Sequence, residues 1–84
     1  MFRFTTSVTV SALAAAAEED VTISEPRVRV GDVIVANTLS APATGLVILA
    51  AWVDAAGSIK LRLGNVAASG LSGGATNFRI CVLR

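Results

Sequence analysis

The chain has no histidine, no tyrosine and a single cysteine, Cys81. Without imidazole there is no side chain that exchanges a proton near neutral pH, and Ser-His or Cys-His nucleophile pairs are excluded. One cysteine permits no intrachain disulfide, and together with the missing histidines it leaves no zinc-ligand set. Cys81 sits in a strand-like run and reads as an inert, buried thiol. Aromatics are scarce, with three phenylalanines and Trp52 as the lone tryptophan. The seven Lys and Arg residues are scattered, so a stacking, basic nucleic-acid surface is not expected. Gly70-Leu71-Ser72-Gly73-Gly74 lacks the lysine and the strand–loop–helix setting of a phosphate-binding loop. The acids Glu18, Glu19, Asp20 and Glu25 match no calcium-loop spacing and read as a solvated acidic segment. Asp32 and Asp54 sit at turns near glycine, where the side chain's role is to shape the turn. The sequence therefore predicts no catalytic residues, no metal site, no cofactor and no enzymatic activity.

Charged residues are only 15% of the 84-residue chain, and apolar residues are 54%. Fifteen of the apolar residues are alanine, which buries little. No apolar run approaches the roughly 20 residues of a membrane-spanning helix, and no membrane partner is expected. Arg3 followed by Ser11-Ala12-Leu13-Ala14-Ala15 faintly suggests a signal peptide, but Thr5, Thr6, Ser7, Thr9 and Ser11 interrupt its apolar core. The expectation is synthesis in the cytoplasm without export. Charge is unevenly placed: residues 1–26 sum to −3 and residues 27–84 to +4. Such segregation is what complementary patches on neighbouring subunits need, although ordinary solvated charge on strands and loops also produces it.

What is present is mostly β pattern. In residues 2–10, Phe2, Phe4, Val8 and Val10 share one parity, and Arg3, Thr5, Ser7 and Thr9 share the other, which predicts a half-buried strand or an N-terminal arm. The alanine-rich 11–19 stretch is too short for an unsupported helix and ends in carboxylates that its dipole would repel, so a loop or single turn is expected. Strands are expected over 20–24 and, beyond Pro26, over 27–30. Gly31-Asp32 signals a turn before the apolar run Val33-Ile34-Val35-Ala36, and 37–45 reads as a loop. Residues 46–63 form the clearest hairpin, turning at Asp54-Ala55-Ala56-Gly57, with Ile59, Leu61 and Leu63 inward. Residues 64–76, with four glycines, read as loop, and 77–83 as the last strand, with Phe78, Ile80 and Val82 inward.

The fold class expected is all-β: one domain over 1–84, a small antiparallel β-sandwich or jelly-roll-like barrel of six or seven strands. Residues 46–53, Leu-Val-Ile-Leu-Ala-Ala-Trp-Val, break the alternation with eight apolar residues in a row. A continuously apolar strand needs cover on both faces. A domain this small buries only about two thirds of its unfolded surface, so a neighbouring subunit is expected to supply the second cover. Trp52 reads either as an interface anchor or as a core residue.

From residue 31 onward the order of turns and strands is more specific. It runs Gly31-Asp32-Val33-Ile34-Val35-Ala36-Asn37, Pro42-Ala43-Thr44-Gly45-Leu46, Ala51-Trp52-Val53-Asp54-Ala55-Ala56-Gly57-Ser58-Ile59, Leu61-Arg62-Leu63-Gly64-Asn65-Val66 and Asn77-Phe78-Arg79-Ile80-Cys81-Val82. This order resembles small β-sandwich virion proteins of tailed bacteriophages, namely capsid decoration (cement) proteins and modules of tail or fibre proteins. The resemblance covers about two thirds of the chain, and the loop around Leu71-Ser72-Gly73-Gly74 departs from it in lacking a proline. It implies a non-enzymatic structural protein that binds the outside of the assembled capsid as a homotrimer and strengthens contacts between major capsid protein subunits. The strand 46–53 would lie near the subunit contact, and 1–10 or the acidic 18–25 segment would touch the shell. The interface residues implied are Phe2, Phe4, Val47, Leu49, Trp52, Glu18, Glu19 and Arg62. The alternatives are a tail or fibre module and, from another class, a host-surface carbohydrate-binding domain.

Overall fold

The computed structural model describes residues 1–39, 41 and 44–83, in six strands and no helix. They are β1 (Phe2–Val10), β2 (Glu18–Ser24), β3 (Val33–Thr38), β4 (Leu46–Ala55), β5 (Ser58–Asn65) and β6 (Gly74–Leu83). Two antiparallel three-stranded sheets, ordered β1-β6-β3 and β2-β5-β4, make a small β-sandwich. Apart from the β4–β5 hairpin, every connection between successive strands crosses from one sheet to the other. Of the loop expected over 37–45, Ser40, Pro42 and Ala43 lie outside the described residues, and β3 continues through Thr38.

The core follows from which strands are central. β6 and β5 each have a neighbour on both sides and the opposite sheet across the interior. Their inward residues Phe78, Ile80, Val82, Ile59, Leu61 and Leu63 are all 0% exposed. Edge strands contribute less completely: Val10, Ile34, Ile23 and Leu46 are buried, while Phe2, Phe4, Val8, Val21, Ala36, Ile48, Ala51 and Val53 close the margins. The alternation read in 2–10 is realised in full, since Phe2 to Val10 pair with Val82 to Gly74 as an edge strand.

Three expectations are corrected. Residues 27–30 are not a strand. Glu25–Val28 and Arg29–Asp32 are successive turns, closed by Val28 N–H donating to Glu25 O (3.1 Å) and Asp32 N–H to Arg29 O (3.0 Å). Pro26 removes a ladder donor there, and the buried Val28 plugs the end of the core while Val30 is left exposed. The turn is anchored on the β4–β5 hairpin: Gly57, with φ +82°, donates its N–H to Val28 O and accepts from Glu25 N–H, both at 3.0 Å. The stretch expected as loop over 64–76 is shorter, because β5 runs to Asn65 and β6 begins at Gly74.

The third correction concerns 46–53. Within one copy it is an edge strand, and its apolar run is not one regular strand. Its loss of alternation comes from a β-bulge between Ile48 and Ala50, which leaves Leu49 as the extra residue. Before the bulge Leu46 and Ile48 face inward, opposite Asn65 and Leu63; after it Ala51 and Val53 do, opposite Leu61 and Ile59. Two alternating patterns of opposite phase, joined end to end, read as one unbroken apolar run.

Asn65 locks the loops at one end of the sandwich. It is 2% exposed and is the one buried polar residue among those described. Its Nδ2 donates to Leu13 O (3.2 Å), Ala14 O (3.3 Å) and Ser69 O (2.9 Å), and its Oδ1 accepts from Ala67 N–H (2.9 Å). Its backbone also binds Ala16 and Ala17, both at 3.0 Å. One side chain thus joins the β1–β2 and β5–β6 crossings.

Candidate functional site

With the core closed, the chemistry available to a partner lies on the two outer faces. The outer face of β2-β5-β4 is built in cross-strand rows: Glu18–Gly64–Val47, Asp20–Arg62–Ala50 and Thr22–Lys60–Trp52. Trp52 therefore belongs to the outside of the sheet, not to the core. The Arg62 guanidinium lies 5.1 Å from the centre of its ring, within cation–π range. Arg62 is held there by Asp20 of its own chain, with Nε donating to Oδ1 at 2.8 Å and Nη2 to Oδ2 at 3.3 Å. Lys60 Nζ donates to Thr22 Oγ1 at 2.6 Å. The middle of this face is thus internally satisfied, with the Arg62 guanidinium over the half-buried Trp52 ring.

The end of the same face differs. Gly64 has no side chain, and Leu49 lies across it: a Cβ added at Gly64 would fall 2.8 Å from Leu49 Cδ1. A shallow apolar dimple surrounds this point, lined by Ala15–Ala17, Leu49 and Val66 with Glu18 at its rim. Leu49 is 47% exposed and Val66 71%.

The outer face of β1-β6-β3 carries Arg3, Cys81 and Val35 in one row and Thr5, Arg79 and Asn37 in the next. Val33 and Val35 on β3 and Leu39 just past its end stand 56%, 44% and 46% exposed. Neither β1, β3 nor β6 contains a carboxylate. Cys81 is half-buried on this face.

The interface residues expected from sequence are thus divided. Glu18, Val47, Leu49, Trp52 and Arg62 come together on one outer face. Glu19 shares the parity of Leu63 and accepts the Ser11 N–H at 3.1 Å. Phe2 and Phe4 point into the sandwich, opposite Val82 and Ile80, with ring centres 6.2 Å apart. Arg27 lies 4.0 Å above the Phe2 ring and is ion-paired to Glu25 at 2.6 Å, which closes that margin. The exposed Val33, Val35 and Leu39 and the adjacent Arg3 and Arg79 were not singled out from sequence. Their one signal was the short apolar run at 33–36 on a strand whose position in the sheet was unknown.

The ion pairs set a pH dependence. The hydrogen bond from Arg62 holds Asp20 below its ordinary value of 3.8, and that from Arg27 holds Glu25 below 4.5. A carboxyl whose folded pKa is depressed contributes stability above its unfolded value, and that contribution disappears as pH falls through the folded value. The denaturation midpoint is expected to be flat from neutral pH to about 5 and to decline below 4. Asp20→Asn should flatten part of the decline. The effect is small because both pairs are exposed.

Among the described residues no group of three or more His, Cys, Asp or Glu side chains is placed to hold a metal ion. No buried side-chain polar atom among them is left without a hydrogen bond. Comparison with family models, with curated proteins and with solved structures gives no match to this chain. What the chain does is therefore read from its own surfaces and from the order of its strands and turns.

Proposed function

We propose that this chain is a non-enzymatic virion structural protein, a capsid decoration protein that binds the outside of an assembled phage capsid as a homotrimer and braces neighbouring major capsid protein subunits. The observation that carries the assembly reading is where the apolar surface lies. The core is closed by the central strands, yet Val33 and Val35 on β3, Leu39 just past its end and Leu49 on β4 remain 44–56% exposed at the sheet edges. Side chains of this kind at sheet edges favour association, and the 15% charged content does little to oppose it. The phage assignment rests on the resemblance in strand and turn order described above.

The physical logic is that of a ligand for the assembled state. A subunit that binds the closed shell but not free capsid protein stabilises the shell by mass action, and the gain is repeated at every copy. Co-sedimentation with tailed-phage shells that lack the chain tests this. Saturable binding to expanded shells, with a raised shell melting temperature, is expected. Absence of binding, or localisation to the tail by immunogold labelling, would remove the capsid role.

A further inference from the structure

We propose that copies of this chain associate head to tail: the outer face of β1-β6-β3 on one copy seats on the Glu18–Leu49 end of the outer face of β2-β5-β4 on the next. The inference deepens the self-association reading above and rests on it.

The first face is apolar and cationic. Val33 and Val35 lie exposed beside Arg3 and Arg79, which occupy adjacent rows of the sheet. Arg3 and Arg79 have no ion pair among the described residues, and the strands of that sheet hold no carboxylate. Paired with itself across a two-fold axis, this face brings cations to cations, and its strands supply no carboxylate to offset them. Like charges brought together in this way oppose association.

The partner surface must then be apolar and acidic. Four of the six acidic side chains are committed within the chain: Asp20 to Arg62, Glu25 to Arg27, Asp32 to the Arg29 N–H and Glu19 to the Ser11 N–H. Asp54 stands at the hairpin end of β4, beyond Trp52 and Val53 from Leu49. Glu18 is exposed, makes no ion pair among the described residues, and stands at the rim of the dimple that holds the exposed Leu49. Apolar surface meets apolar surface and cation meets anion only when two different faces are joined. These faces lie on opposite sides of the sandwich, so one copy offers both at once. A contact between different faces is heterologous: it closes into a ring if the rotation per copy allows it and runs on as an open filament if it does not.

A charge-exchange cycle read by sedimentation equilibrium tests the inference. Arg79→Glu and Glu18→Arg are each expected to lower the association constant at least about tenfold, and the chain carrying both changes to recover most of it. The two positions lie on opposite outer faces of one copy, so rescue has to arise between copies. Arg3→Glu provides a second cycle with Glu18→Arg. Circular dichroism and melting of each variant confirm folding, and Arg79→Gln and Glu18→Gln, which reverse no charge, are expected to show smaller losses. If wild-type chains associate but neither cycle shows rescue, the head-to-tail contact is wrong while self-association stands. If wild-type chains do not associate at any concentration, both readings fall.

Discussion

Phe78→Ala is expected to destabilise the chain by about 3–5 kcal/mol. Phe78 is 0% exposed on β6, the central strand of its sheet, with Thr6 and Thr38 as its cross-strand neighbours. It belongs to the same closed core as Ile59, Leu61 and Leu63 of the opposite sheet, all 0% exposed, so truncation leaves a cavity in that core. A chain of this size has about 4–13 kcal/mol of stability in total, and the substitution removes a large part of it. Urea denaturation with a two-state fit measures the loss. Val35→Ala provides the contrast: Val35 is 44% exposed on an edge strand, so its loss should leave the unfolding of the isolated chain within about 0.5 kcal/mol while weakening self-association. A Phe78→Ala chain less than 1 kcal/mol below wild type would mean that the two sheets are not packed as described.

Asn65→Ala is expected to cost about 2–4 kcal/mol, although it removes no apolar surface. Leu13 O and Ala14 O keep their backbone donors, Leu71 N–H and Ala17 N–H. Ser69 O and Ala67 N–H lose the partners that Asn65 provides. Both crossings at that end of the sandwich are then held by fewer bonds, and the dimple beside Leu49 loses one of its walls. Asn65→Asp sharpens the prediction. A carboxylate retains the acceptor for Ala67 but turns an unprotonated oxygen toward three carbonyls. Burial and those carbonyls raise its folded pKa, so the deficit is full above that raised value. It shrinks as pH falls toward the unfolded value of about 3.9, where a protonated acid can donate one bond. A loss for Asn65→Asp that does not change with pH would contradict the assigned geometry.

Much of the fold was legible because local pattern and tertiary environment agree. Phe2 to Val10 alternate and lie along a sheet edge, and Ile59, Leu61 and Leu63 alternate and fill the interior. The hairpin turns where the glycine demands, at Ala56 and Gly57, although Asp54 and Ala55 still belong to β4. Where one residue changed the phase, the pattern misled. The bulge at Leu49 made an ordinary edge strand look like one buried on both faces, and the sequence does not mark a bulge there. The segment 27–30 alternates as a strand would, but Pro26 and the hydrogen bonds to Gly57 fold it into turns. Sheet partners could not be read at all, because every ladder except β4–β5 joins residues distant in sequence. That is why Trp52 was weighed between core and interface: only the register opposite Lys60 places it outside. It is also why Arg3, Arg79 and Val35 passed unnoticed, since they become neighbours only when β1, β6 and β3 assemble. Asn65 looked like one more polar loop residue because its partners lie up to 52 positions away.

The central claim is that a single copy leaves apolar surface on its edge strands that sister copies cover. Sedimentation equilibrium of the purified chain at micromolar concentration tests it most directly. The account predicts a species of three times the 8.6 kDa chain mass, weakened by high salt and by Val35→Ala. A monomer that persists across the concentration range, with Leu49 and Val35 freely solvated, would contradict it.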